Sequence, residues 1–190
     1  MSVADTLAQR HDAALQGHGV GLRDEFLEAA RAVEPLLPAD ELERWAERGA
    51  ALASQSLRSW EAAVEFFRAS PEVVRLVPFD IVERWGGIAE RLTEASPLVA
   101  AAYVRATPGV IEQLPPDPDF DIGIQGEHVA EQTIARSDLD RWALAGERLH
   151  HGNWKSIALT VLFFDESPKL LASLSLEQID QLVEIGRAHV

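Results

Sequence analysis

Cysteine is absent from the 190 residues of this chain, which excludes disulfides, thiolate metal sites and a thiol nucleophile. Basic residues are scarce: 17 lysines and arginines stand against 31 acidic residues, and the net charge is −14. Nucleic-acid binding depends on basic side chains that replace counterions along the phosphate backbone. We therefore expect no nucleic-acid partner, whereas the acidic field favours a protein partner with a basic surface.

Long apolar runs are also missing. No stretch approaches the roughly 18 uncharged apolar residues that a membrane span requires. The segment from Met1 to Gly21 contains charged side chains where a signal peptide would have an apolar core. The hydrophobic content of 47% is nevertheless sufficient for a packed core. These features predict a folded cytoplasmic protein that does not associate with a membrane.

Signatures of catalysis and metal binding are lacking as well. The sequence contains no Gly-x-Ser-x-Gly elbow, no glycine-rich phosphate loop and no His-Glu-x-x-His pattern. A calcium loop that began at Asp117 would need glycine at position 122 and glutamate at position 128, but these are Ile122 and His128. We therefore predict no catalytic residue, no cofactor and no metal site.

A sequence pattern with a period of about 40 residues is present instead. The interval from Trp45 to Trp85 is one such period, and the interval from Trp142 to Leu182 is equal to it. Four residues after each of these positions comes a small residue: Gly49, Ala89, Gly146 and Gly186. A Ser-Pro or Thr-Pro pair then follows in three of the units, at Pro71, Pro108 and Pro168. The chain therefore consists of about three full units and the start of a fourth.

Each unit predicts two helices. The large residue and the small residue four positions on share one face of the first helix, where the small residue allows a neighbouring helix to approach closely. The second helix is expected to end at the Ser-Pro or Thr-Pro pair, because the residue before a proline is disfavoured in the α region. Alternatively, the proline opens a further short helix.

The fold class that follows is all-α: an α-solenoid of about three antiparallel helical hairpins with capping helices. The alternative is an irregular helical bundle. We divide the chain into four segments: N-terminal capping helices over 1–37 (one helix up to Gln16 and a second over about Leu22 to Leu37), repeats 1 and 2 over 38–114, an inserted loop and short helix over 115–138, and repeat 3 with the start of repeat 4 over 139–190.

Two residue types recur with the period. The tryptophans are expected in the core and between units: Trp45, Trp60, Trp85, Trp142 and Trp154. An arginine precedes the tryptophan in three units, at Arg44, Arg84 and Arg141. Because it recurs at the same point of each unit, we expect an ion pair or a stacking contact between neighbouring units, with an anion-binding row as the alternative.

The insertion interrupts the period. The interval from Pro108 to Trp142 is more than twice the interval from Pro71 to Trp85. The added segment is longer than most connections in compact domains. Long insertions often carry function, but tolerated surface loops are about as common, and both interpretations stay open. The candidate interaction residues in and beside it are Asp117, Asp119, Phe120, Asp121, His128 and Arg136.

The unit pattern resembles that of a bacterial family. An acidic-Arg-Trp helix, a small residue four positions on, an aromatic pair and Ala-Ser-Pro together resemble the helical repeats that precede von Willebrand factor A domains in proteins of the nitric-oxide-reductase-activation type. The resemblance covers about Pro38 to Gly186 without the insertion. The Asp-x-Ser-x-Ser adhesion motif of the A domain is missing from this sequence. The resemblance thus implies a repeat module with an interaction role alongside an AAA+ ATPase, and it assigns no functional residue.

The function that these observations predict is non-catalytic protein–protein interaction or scaffolding. The competing prediction is a small-ligand-binding or enzymatic helical protein whose cleft is covered by the 115–138 insertion. A deep pocket with converging polar groups beside the insertion would favour the competing prediction. Because the last helix has no partner helix in the sequence, a homo-oligomer through this C-terminal helix is a further expectation.

Overall fold

The computed structural model of the chain describes residues 2–16, 21–56, 58–116 and 134–187. These residues are helices and their connections, apart from an isolated antiparallel bridge between Pro116 and Ile134, which lie on either side of the undescribed residues 117–133. The helices are α1 (Val3–Arg10), α2 (Asp12–Gln16), α3 (Leu22–Val33), α4 (Ala39–Ser54), α5 (Trp60–Leu76), α6 (Phe79–Ala95), α7 (Pro97–Ile111), α8 (Arg136–Leu149), α9 (Trp154–Leu171) and α10 (Leu176–Arg187).

Several helix starts are fixed by local side chains. At α1, the Ser2 hydroxyl accepts a hydrogen bond from the Asp5 amide, and the Asp5 carboxylate accepts one from the Ser2 amide. This capping box satisfies two amides that would otherwise lack partners at the helix end. At α9, the Asn153 side chain accepts from the Ser156 amide at 2.9 Å. Such caps define where helices begin without help from distant packing.

The helices pack in two rows. One row consists of α3, α5, α7 and α9, each in contact with the next. The other contains α4, α6, α8 and α10, again each beside the next, with α2 against α4. The rows face each other, since α4 contacts α5, α6 contacts α7 and α8 contacts α9. Helices of one row are thus neighbours in space although they alternate with helices of the other row along the chain.

Buried aromatic rings join the rows. The tryptophan of each first helix stacks on a ring from the preceding second helix: Trp45 on Phe26 (centroids 5.6 Å apart), Trp85 on Phe66 (4.6 Å) and Trp142 on Tyr103 (4.9 Å). All six rings are essentially inaccessible to solvent. The hypothesis that the tryptophans form the core is confirmed for these three, but it is wrong for Trp60 and Trp154, which are exposed at the starts of α5 and α9.

Glycines make room for a second ring. Phe67 packs edge-on to Trp45, and Phe164 packs edge-on to Trp142, with ring centroids 5.8 and 5.2 Å apart. A Cβ atom added at Gly49 would overlap the Phe67 ring, and one added at Gly146 would overlap the Phe164 ring. The small residue four positions after the tryptophan therefore admits the aromatic ring of its own hairpin partner.

The hydroxyl before the proline has a structural role that the sequence did not indicate. Ser70 accepts a hydrogen bond from the Trp45 indole at 2.8 Å, and Ser167 accepts one from the Trp142 indole at the same distance. In both pairs the residues are 25 positions apart and buried. Trp45 and Trp142 are thus each held by stacking, by an edge-on ring and by a hydrogen bond.

The prediction that the second helices end at the prolines is wrong. Helices α5, α7 and α9 continue through Pro71, Pro108 and Pro168, each of which lies inside its helix. The hydroxyl before each proline donates to the carbonyl four residues earlier, with distances of 2.6 to 2.8 Å. This bond does not replace the amide that the proline lacks, because that amide would have bonded to the next carbonyl along the chain. The helices continue through the prolines because burial of the flanking residues outweighs the local preference.

The N-terminal helices also differ from expectation. The single helix expected up to Gln16 is two helices, with His11 between α1 and α2. Helix α3 ends at Val33 and not near Leu37. The His11 imidazole is partly buried, and burial lowers its pKa below the ordinary value.

The recurring arginines form a series of ion pairs along the α4, α6, α8 and α10 row. Each pairs with the acidic residue that lies two positions before the next large residue of the pattern. The pairs are Arg44–Glu83 at 3.0 Å, Arg84–Asp140 at 2.5 Å and Arg141–Asp180 at 2.6 Å, and Arg10–Glu43 extends the series towards the N-terminus. The hypothesis of ion pairs between neighbouring units is confirmed. Because such exposed pairs contribute only about 0–1 kcal/mol each, they favour one alignment of the helices and add little stability.

We predict that Gly146→Ala lowers the free energy of unfolding by about 1–3 kcal/mol, because the added methyl group overpacks against the buried Phe164 ring. Gly87→Ala is the matched control: no atom lies within 4 Å of its added Cβ. This control should stabilise the protein by about 0.5–1 kcal/mol, since alanine is the better helix former. Urea unfolding followed by circular dichroism measures both, and equal effects would contradict the packing account.

A second prediction concerns the buried hydroxyl. Ser70→Ala leaves the Trp45 indole N–H without its acceptor, which should cost about 1–3 kcal/mol of unfolding free energy. Ser54→Ala removes a hydroxyl that bonds to the carbonyl four residues earlier in the same manner but is exposed. We expect the Ser54 change to be nearly neutral. Urea unfolding of both variants tests this prediction. If Ser70→Ala lowers the free energy of unfolding no more than Ser54→Ala does, the Ser70 hydroxyl does not stabilise the protein by accepting from Trp45.

Candidate interaction surfaces

The candidate residues chosen from the sequence fall almost entirely outside the described residues. Asp117, Asp119, Phe120, Asp121 and His128 lie in the segment 117–133, to which the described ranges do not extend. Arg136 is the first residue of α8, and only its backbone is described. Their proposed role in interaction therefore stays a prediction.

A groove crosses the row of second helices. This lateral groove has a volume of about 480 Å³ and takes side chains from α3, α5, α7 and α9, among them Glu25, Trp60, Glu61, Glu65, Leu98 and Arg105. No two of these helices are adjacent along the chain. The groove therefore depends on the packing of the row, and no single segment of sequence contains it.

The lateral groove combines apolar surface with charge. Trp60 is partly exposed and Leu98 is 49% exposed, although both are large hydrophobic residues. Val64 and Ala101 also line the groove and are buried. Large apolar side chains that remain open to solvent in an otherwise well-packed protein are typical of contact surfaces.

The charges in the groove are mostly paired. Arg68 bonds to Glu25 at 2.5 Å, and this hydrogen bond raises the pKa of the guanidinium above its ordinary value. Arg105 bonds to Asp165 at 2.7 Å and lies 3.7 Å from Glu65.

Glu61 differs from its neighbours in the lateral groove. Its carboxylate has no ion-pair partner among the described residues, and the side chain is only partly exposed. Carboxylates outnumber guanidinium groups in this part of the surface, so the field in the groove is negative. A basic side chain of a ligand would find an unpaired acceptor at Glu61.

A second groove lies between α9 and α10. This end groove has a volume of about 280 Å³ and is lined by leucines and other apolar residues, among them Leu149, Leu162, Phe163, Leu182, Val183 and Gly186, with Glu166 as a charged lining residue. Leu162 and Leu182 are 57% and 48% exposed. No described helix of the chain covers these side chains.

The residue whose pKa departs most from its ordinary value lies in neither groove. Tyr103 has the most strongly perturbed titration, since complete burial raises its pKa well above the ordinary value. The phenol is enclosed beside Trp142 and cannot meet a substrate. Among the residues that the structure describes, no group of three or more histidine, aspartate or glutamate side chains comes together as a metal site.

None of the described helices is long and apolar enough to cross a membrane.

The position of the two grooves bears on the ligand-binding alternative. Their linings come from 21–105 with Val161, and from 149–186. The described side chains of the 115–138 insertion line neither groove. Residues 117–133 lie outside the described ranges, so the alternative of a cleft covered by the insertion stays a prediction.

Comparisons of the chain with family models, with curated proteins and with solved structures gave no match.

We predict that the exposed leucine of the lateral groove contributes little to folding. Leu98→Ala should change the free energy of unfolding by less than about 1 kcal/mol, because half of this side chain already contacts solvent. Leu52→Ala, at a fully buried position of α4, should cost about 2–5 kcal/mol. Thermal and urea unfolding of both variants check this. A large loss for Leu98 would mean that the groove is part of the core.

Proposed function

We propose that this chain is a non-catalytic protein-interaction module that binds a basic and apolar segment of another protein along the lateral groove. The observation that carries the proposal is the exposed Trp60 and Leu98 beside the unpaired Glu61 in one groove. Apolar anchors surrounded by polar groups are the usual composition of a binding surface. The negative field of the groove selects partners of positive charge.

The proposed architecture is a short α-solenoid of helical hairpins. Its support is the order of contacts, in which second helices pack on second helices and first helices on first helices. The recurrence of the Trp–Ser bond and of the Arg–acid pair adds to this support. A solenoid suits the proposed function because stacked helices offer an extended surface with contributions from several units.

The partner class can be narrowed through the sequence resemblance. If the unit pattern reflects kinship with the repeats that precede von Willebrand factor A domains, the partner belongs to a system with an AAA+ ATPase. The support is the pattern of residues alone, since the comparisons gave no match.

The experiment is an affinity capture from an extract of the source cells with the wild-type chain and matched variants as bait. Glu61→Lys reverses the unpaired charge of the groove, and Leu98→Ala removes an apolar anchor. We expect each to reduce stoichiometric capture of the partner by about tenfold or more. Raised salt should weaken capture by the wild type, because the charges involved are exposed.

Two controls accompany this capture. Glu94→Lys makes the same charge change on an exposed part of α6, and Leu144→Ala makes the same truncation at an exposed leucine of α8. Both should retain the partner. Equal capture by groove and control variants would refute the lateral groove as the binding surface, and a purified chain that retains only a small molecule would favour the ligand-binding alternative.

A further inference from the structure

Among the described helices, none occupies the next position of the packing pattern, and the end groove lies at that position. Helix α7 covers the surface between α5 and α6, and α9 covers the surface between α7 and α8. The end groove is the surface between α9 and α10. It is therefore the same kind of surface as two that are each covered by a helix in the interior of the protein.

The α10 side of the end groove consists of interior positions. Leu182 occupies the position of Trp85 and Trp142 in the pattern, one full period after Trp142. Both tryptophans are 0% exposed, whereas Leu182 is 48% exposed. Leu182 is half open because no described helix covers it as α7 and α9 cover the two tryptophans.

The α9 side shows the same contrast. Counted back from the hydroxyl before the proline, Leu162 is five residues before Ser167, as Ala102 is five residues before Thr107. Ala102 is 0% exposed, but Leu162 is 57% exposed. The equivalent residue of α5 is the partly exposed Glu65, so this position is fully enclosed only in α7. Leu162 and Leu182 thus present exposed apolar side chains to the same groove.

The glycine at position 186 indicates which side chain a ligand of the end groove would place over it. At the equivalent positions, Gly49 receives the ring of Phe67 and Gly146 receives the ring of Phe164. Where the pattern has Ala89 instead of glycine, the residue at the position of the phenylalanine is the smaller Val104. A Cβ atom at Gly186 would meet nothing closer than the Leu149 side chain at 3.4 Å. The space over this glycine has the shape that accepts an aromatic ring.

We propose that the end groove binds an amphipathic α-helix of a partner protein and that a phenylalanine in the apolar stripe of this helix packs over Gly186. The docked helix would lie against α9 and α10 as α9 lies against α7 and α8, and would continue that interface by one position. This site is separate from the lateral groove and does not depend on the function proposed for it. Helix-in-groove recognition of this kind is specified by apolar anchors at helical spacing.

The test uses a synthetic peptide with the sequence of α9, residues 154–171, as a surrogate for the partner helix. This segment contains the phenylalanine that fills the Gly146 position. Binding of the labelled peptide to the full chain is followed by fluorescence anisotropy. We expect saturable one-to-one binding, and a peptide with Phe163→Ala and Phe164→Ala should bind at least about tenfold more weakly.

Variants of the chain then locate the site. Leu182→Glu introduces a charge into the groove and should weaken peptide binding by about tenfold or more. Ile185→Glu is the matched control, because Ile185 lies on the same helix, is 60% exposed and does not line the groove. Gly186→Ala fills the space for the ring without a clash in the free chain, so it should weaken binding while unfolding stability is retained or increased.

Three results would overturn the proposal. The first is no saturable binding of the peptide up to about 1 mM, which is the weakest affinity of interest. The second is equal binding by the Leu182→Glu and Ile185→Glu variants. The third is a chain that forms dimers in light scattering which Leu182→Glu dissociates, since the occupant is then a second copy. The Glu61→Lys variant should bind the peptide normally, so failure here is distinguishable from failure of the lateral groove.

Discussion

The rest of the structure depends on one arrangement, a tryptophan enclosed by rings from two different helices. Trp142 stacks on Tyr103 of α7 and receives the edge of Phe164 from α9. Three helices are thereby fixed relative to one another by a single side chain. The glycine at position 146 is required because the second ring needs the space of a Cβ atom. The spacing between tryptophan and glycine follows from this contact, since residues four apart share a helical face.

The middle unit shows that the residues around the tryptophan vary together. Helices α6 and α7 are joined by Ser96 alone, and Thr107 follows Trp85 at a shorter interval than Ser70 follows Trp45. The Trp85 indole N–H is buried and has no hydrogen-bond partner among the described residues. The shorter connection shifts the second helix along the first, so the hydroxyl no longer meets the indole. An unpaired buried donor costs about 1–3 kcal/mol, and closer stacking on Phe66 at 4.6 Å accompanies its loss.

Features that depend on fixed spacing could be predicted from the sequence, whereas features that depend on tertiary packing could not. The all-helical class, the burial of Trp142 and the pairing of Arg84 follow from a pattern that repeats at constant distance. The prediction at Pro71 was wrong because it considered the local preference of proline without the burial of the residues around it. The prediction for Trp60 was wrong because it was based on the residue being a tryptophan, although Trp60 does not lie at the position that repeats in the pattern. The lateral groove was missed entirely, since helices distant in sequence build it.

The two grooves have different physical origins, and this difference determines what each can recognise. The lateral groove runs over the outer sides of helices whose inner sides are already packed, so its residues are free to vary with the ligand and include charges. The end groove is lined by positions such as Leu182 and Gly186, whose equivalents in the interior are packed, and the helix proposed to bind there follows from that equivalence. Binding in the lateral groove should therefore respond to salt, whereas binding in the end groove should respond to the volume at Gly186. Among the described residues the two grooves share no lining residue, so substitutions can address each groove separately.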